Sequence, residues 1–154
     1  MPSAFTFPWW WSMTTSSYDL LLPMPDPDTQ PWWDAVREHR LVIQACADCA
    51  TLRHPPSAVC AECGSEKRDW QQMSGRGTIY SFVVVHRPTL PQWKRLAPYN
   101  VLLVALDDAP HIRLYGNLVG DESPVIGASV EAIFDDVTEG DTLIRWRLVP
   151  PSDQ

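Results

Sequence analysis

Two Cys-x-x-Cys pairs, Cys46-Ala47-Asp48-Cys49 and Cys60-Ala61-Glu62-Cys63, stand ten residues apart and use every cysteine in the chain. A turn of that spacing sets two thiolates about one tetrahedral edge apart. Two such turns brought face to face supply four soft ligands to a single Zn(II). A four-thiolate site has no open coordination position and contributes folding energy, so the expected cofactor is a structural Zn(II) on Cys46, Cys49, Cys60 and Cys63. The same donors suit a rubredoxin-type iron, and spacing alone does not separate the two metals. Two disulfides are disfavoured in a reducing compartment, and a thioredoxin-type motif would appear once, opening a helix after a strand. His54, lying between the pairs, is superfluous as a fifth ligand and is expected as a solvent-facing loop residue.

The rest of the composition bounds the fold around that cluster. At 154 residues there is room for one ordinary domain, or two very small ones sharing a core. A net charge of −7 repels nucleic acid and anionic lipid as a whole-molecule field, so an anion site has to be local. Proline is abundant, at 15, and glycine sparse, at 7, which favours short strands and stiff turns. The longest purely apolar run is Val101 to Leu106, far short of a membrane span, and the first Lys or Arg is Arg37, so neither a span nor a secretory leader is expected. The expected location is cytoplasmic.

Along the chain, three stretches follow. Residues 1–28 read as an extended arm. It opens with Phe5-Thr6-Phe7-Pro8 and Trp9 to Trp11, and Met13 is a second plausible start, so part of residues 1–12 is expected to be an artefact of the assigned start. Its later part, with Pro23, Pro25 and Pro27, forbids regular helix. Residues 29–72 carry a short helix and the cysteine ribbon: Thr29 or Gln30 can cap a helix beginning at Pro31, with Trp32 and Val36 on one face, joined by His39. Residues 73–150 read as five strands, Arg76–Val85, Tyr99–Leu106, His111–Val119, Ser129–Phe134 and Thr142–Val149. Phe82 to Val85 and Val101 to Val104 are apolar on both faces, which suits a closed barrel with one side buried by another element or chain. Five strands closing into a small barrel is the OB-fold shape, and the fold class is therefore mostly β.

These residues together resemble a known family. Trp32-Trp33, Leu41 to Cys49, Pro55-Pro56, Cys60 to Ser65, Gly75 to Phe82, Val85 to Pro88, Leu114 to Leu118 and Arg145 to Pro150 are similar to the pattern of domain of unknown function thirty-five, over roughly residues 28–150. Ala50 departs from it where a glycine often follows the second cysteine, and Trp146 where a Phe is common. The resemblance implies a rubredoxin-like zinc ribbon joined to an OB-fold. It also implies an accessory subunit of an acyl-CoA enzyme: a thiolase-like partner, such as a retro-aldolase of steroid or lipid side-chain degradation, or a hydratase-like one. On that reading acyl-CoA is met through the complex, and the chain itself is a scaffold that covers part of the CoA channel.

Charge placement points the same way independently. Residues 70–106 contain no acid and carry +4, from Arg76, Arg87, Lys94 and Arg95, while the remainder carries −11. The loop between the first two strands adds Trp93, Tyr99 and three prolines. Arg87, Trp93, Lys94, Arg95 and Tyr99 are thus the candidates for contact with CoA or a partner, and a stiff loop meets either with little ordering cost. Trp32, Trp33 and Trp9 to Trp11 are candidate interface anchors. A single-stranded nucleic-acid module is the alternative, since ribbons and OB-folds both serve there, but the net charge opposes it. No nucleophile sits beside a base, and Asp107-Asp108 and Asp135-Asp136 read as solvated turns. His86, with no carboxylate near it in sequence, reads as a structural histidine.

Overall fold

The computed structural model describes residues 22–150; the expectations for Trp9 to Trp11 and for the start of the chain lie outside them. Helix α1 (Gln30–Arg37) carries a proline in its first turn, as the sequence predicts. Its cap differs. The Thr29 side chain makes no capping bond to α1; instead the Asp26 carboxylate accepts from the Asp28 and Thr29 amides and the Thr29 hydroxyl, fixing the turn before the helix. Trp32, Ala35 and Val36 form the buried face. His39 falls beyond the helix at φ 57, where its ring stacks on Phe134 and its Nε2 lies 3.0 Å from Asp136.

The ribbon is a three-stranded antiparallel sheet, β1 (Val42–Cys46), β2 (Leu52–Arg53) and β3 (Arg68–Gln72), in the order β2-β1-β3. β1 is apolar at Val42 and Ile43 and fully buried there. Beyond Gly75, whose φ of 79 turns the chain, comes a five-stranded sheet. It comprises β4 (Arg76–Val85), β5 (Tyr99–Leu106), β6 (Ala109–Gly116), β7 (Ser129–Asp136) and β8 (Thr142–Leu148), in the order β6-β5-β4-β7-β8. Between β4 and β5 lies a single helical turn, α2 (Pro91–Lys94). The sheet curls so that its ends meet: Leu118 bridges Trp146 in parallel, with Val119 N donating to Trp146 O and Trp146 N to Asn117 O. Asn100 holds that closing segment from behind, accepting from Leu118 N at 2.6 Å and donating to Leu118 O at 3.1 Å.

Alternation in the strands sends Leu102, Val104, Leu106, Ile112, Leu114, Ile144 and Trp146 inward. These join Trp32, Val36, Leu41 and Ile43 in one continuous core, so α1 and the ribbon pack on the barrel through shared apolar surface. Each of these larger side chains contributes about 1.5–3 kcal/mol of burial free energy.

Several sequence readings need correction. The third barrel strand starts at Ala109 because Asp107 and Asp108 alone make the turn and Leu106 pairs with Ala109. Asp135-Asp136 ends β7 rather than forming a turn: Asp135 takes an ion pair from Arg145 Nε at 2.5 Å and Asp136 accepts from Thr142 Oγ1 at 2.6 Å. His86 is exposed, because β4 has run past the barrel by then. His54 is the opposite case and is drawn inward, as shown below.

Candidate functional site

The two Cys-x-x-Cys turns are built alike. In the first, Ala50 N donates to Cys46 O and Cys46 N to Thr51 O; in the second, Gly64 N donates to Cys60 O and Cys60 N to Ser65 O. The residue after each second cysteine is left-handed, Ala50 at φ 59 and Gly64 at φ 73. Backbone amides three and two positions on, of Cys49 and Asp48, point at the Cys46 sulfur and pull its thiol pKa down to about 6. Cys63 and Glu62 amides do the same, in direction, for Cys60. Across the pair, Asp48 accepts from Ser65 Oγ at 2.6 Å and Lys67 Nζ at 3.1 Å, and these two donors hold its carboxyl below the usual range.

All four sulfurs lie within 4.8 Å of one another. Cys46 and Cys63 are 3.5 Å apart and Cys49 and Cys60 3.7 Å. Tetrahedral zinc with bonds of about 2.3 Å needs sulfurs about 3.8 Å apart, so the donor set fits Zn(II). It leaves no room for a fifth protein ligand. The sulfurs stand well beyond the roughly 2.0 Å of a disulfide, and all four cysteines are free thiols.

Within the ribbon sits a polar hub that sequence reasoning missed. Gln44, fully buried on β1, accepts from Arg53 Nε at 2.6 Å and from Ser57 N at 2.9 Å, while Arg53 Nη2 reaches Ser57 O at 3.3 Å. The hub fixes the chain between the two turns. His54 is carried with it onto Trp32, ring centroids 5.3 Å apart, and burial pushes its pKa down to about 4. A glutamine directly after the apolar run Leu41-Val42-Ile43, and before Ala45 and Cys46, was the available signal.

The cationic loop forms a second feature. Arg87, Trp93 and Tyr99 converge with Val85 and Leu90 around an open hollow of about 280 Å³, and Trp93 packs on Tyr99 at 5.4 Å. Lys94 and Arg95 are exposed at the end of α2, outside the hollow's lining. Trp32 and Trp33 are placed elsewhere, edge to face at 4.6 Å: Trp32 is buried within the core and Trp33 packs against it, so both seat α1.

This pairing of a four-cysteine ribbon with a five-stranded barrel is matched by two family patterns. Residues 33–68 match the ChsH2 rubredoxin-like zinc ribbon domain and residues 70–135 the ChsH2 C-terminal OB-fold domain. The chain belongs to the DUF35 family. Among relatives of this DUF35 chain, the 3-oxo-4,17-pregnadiene-20-carboxyl-CoA hydratase alpha subunit of Mycobacterium tuberculosis is 37% identical over 129 residues, covering 82% of this chain and 40% of that protein. A DUF35 domain-containing scaffold protein of Methanothermobacter thermautotrophicus is 29% identical over 109 residues, covering 70% of this chain and 81% of its own. The chain spans no more than 40% of the length of the hydratase alpha subunits it matches. A solved structure, the Ltp2-ChsH2(DUF35) aldolase, superposes with a TM-score of 0.74 at 38% identity, covering 82% of this chain and 98% of that one. Among the described residues of the DUF35 chain no helix is long and apolar enough to cross a membrane.

Proposed function

We propose that this chain is a non-catalytic accessory subunit of a thiolase-superfamily acyl-CoA enzyme, such as an aldolase of steroid or lipid side-chain degradation. The observation that carries the reading is the likeness, along almost the whole of the other chain, to the DUF35 component of the Ltp2-ChsH2(DUF35) aldolase. On this reading Zn(II) on Cys46, Cys49, Cys60 and Cys63 is structural, and it holds the ribbon that seats α1. The hollow of Arg87, Trp93 and Tyr99 covers part of the CoA channel, with an aromatic pair for an apolar or planar group, Arg87 in its lining for phosphate, and Lys94 and Arg95 outside the lining as further cations on the same loop. A hydratase-like partner is compatible with the same surface.

The test is affinity purification of the tagged chain from its own cells at moderate salt, with mass spectrometry of what remains bound. A thiolase-like or hydratase-like protein recovered near one-to-one supports the reading; recovery of the chain alone overturns it. Given a complex, Arg87→Glu with Lys94→Glu should raise the KM for acyl-CoA by about tenfold or more, with the assembly intact, because two cations of the loop are reversed. An unchanged KM removes the CoA role and leaves the assembly role standing.

A further inference from the structure

The outer half of β4 has one side without a strand. Its ladder with β7 ends at Thr78 opposite Ser129, and the last bonds on that side join Ile79 to Ala128 and Gly127. On the other side β5 continues to Val85 opposite Tyr99. From Tyr80 to Val85, therefore, a two-stranded ribbon projects past the barrel with one edge that no strand covers among the described residues. Its side chains are apolar on both faces: Phe82 is 37% exposed, Val83 54% and Val84 39%. Because Gly127 is bonded to Ile79, the loop before it sets exposed Val125 and Ile126, 61% and 64%, beside the same edge. Natural edges are blunted by charge, proline or a bulge; from Tyr80 to Val85 the sequence has neither charge nor proline, and the break in the ladder to β5 at Tyr80, whose ring Arg113 covers, is confined to the start of the segment and leaves Ser81 to Val85 regularly paired on the β5 side.

We infer that Tyr80–Val85 is the docking edge for an extended, apolar segment of a protein partner, which adds a strand to the sheet and carries acid where it passes Arg87. The inference rests on the accessory-subunit reading and names the surface that reading needs. A different protein is favoured over a second copy because the matched structure, the Ltp2-ChsH2(DUF35) aldolase, pairs a DUF35 chain with another component. Residues 70–106 hold no acid and carry Arg87 at the end of this edge, so a partner strand with an acidic flank is complementary there. A polyanion would meet the cations but leave Phe82, Val83 and Val84 in water. Strand addition supplies the affinity through the backbone edge, and the exposed valines and Phe82 supply the specificity.

The experiment is amide hydrogen exchange on the full chain, alone and with the thiolase-like or hydratase-like protein recovered from its own cells, together with Val83→Lys and, as a control, Met24→Lys. The expected result is slowing of exchange at Tyr80–Val85 only in the complex, a loss of partner affinity of at least tenfold with Val83→Lys, and a change under twofold with Met24→Lys. A complex that forms with unchanged exchange at Tyr80–Val85, in a folded protein by circular dichroism, overturns the docking edge and leaves the accessory role intact. Failure to recover a partner overturns both. Slow exchange in the isolated chain that deletion of residues 1–21 abolishes, or a concentration-dependent dimer that Val83→Lys dissolves, assigns the edge to another occupant and overturns the proposal.

Discussion

Gly116 lies directly against the indole of Trp146: a Cβ at Gly116 would stand 2.6 Å from Nε1, 2.7 Å from Cδ1 and 2.9 Å from Ile144 O. This is where β6 meets β8 and the barrel closes. Gly116→Ala is therefore expected to destabilise the protein by about 2–3 kcal/mol, since backbone and a fully buried ring cannot both retreat. In a Trp146→Phe background, which removes the crowding five-membered ring, the penalty should fall by at least half. Urea unfolding of the four proteins of this cycle checks it, and equal penalties in the two backgrounds would sever the link.

The turn after Cys49 holds a side chain in left-handed backbone, at Ala50, where its twin after Cys63 has Gly64. Relief of that conformation outweighs the extra flexibility glycine gives the unfolded chain. Ala50→Gly should raise stability by about 0.5–1 kcal/mol in the metal-loaded protein, read as a higher denaturant midpoint at unchanged slope.

His54 sets a pH dependence. Burial lowers its pKa from 6.5 to about 4, so the folded protein keeps it neutral while the unfolded chain takes up a proton below pH 6.5. The stabilisation is complete above pH 6.5 and is lost as pH falls toward 4, by about 1–2 kcal/mol once partial solvation of the ring is discounted. His54→Gln should be less stable at pH 7, through lost packing on Trp32, and flatter between pH 6.5 and 4. Unfolding free energies of both proteins with zinc in excess separate this from titration of the thiolates.

Metal removal should unfold more than the ribbon. Chelation, or Cys46→Ser, releases the two turns that position β1, and β1 shares its buried face with α1 and the barrel. The thermal midpoint is expected to drop by more than about 10 °C, the loss of one structural site being worth several kcal/mol. Near-ultraviolet circular dichroism of Trp146, deep in the barrel, should change in the same transition. A barrel signal that survives chelation would show the two parts to be independent.

What the sequence announced and what it concealed divide along physical lines. The four-cysteine cluster was legible because metal-site chemistry fixes residue type and spacing together, and the five barrel strands because β-branched runs ended at prolines and acidic turns. Strand ends slipped by a few residues at Ala109 and Asp136, where local turn residues were enlisted into ladders instead. Gln44 and His54 escaped because their roles depend on contacts between residues from nine to thirteen positions apart and with α1, and no local pattern encodes those. The apolar surplus of Phe82 to Val85 was visible, but its expected cover was not: this chain supplies none for it among the described residues. Asp26 replaced Thr29 as the helix's anchor because both residue types cap and only geometry chooses between them.

The packing of Trp32 and Val36 against ribbon and barrel alike has a consequence for alignment. A ribbon tethered by a free linker would sample many orientations, and anything touching both halves would have to freeze them. Here the angle is set when the protein folds. The cysteine turns and the barrel are held at one angle by that shared core, so a molecule that meets both has less orientational freedom left to freeze on binding.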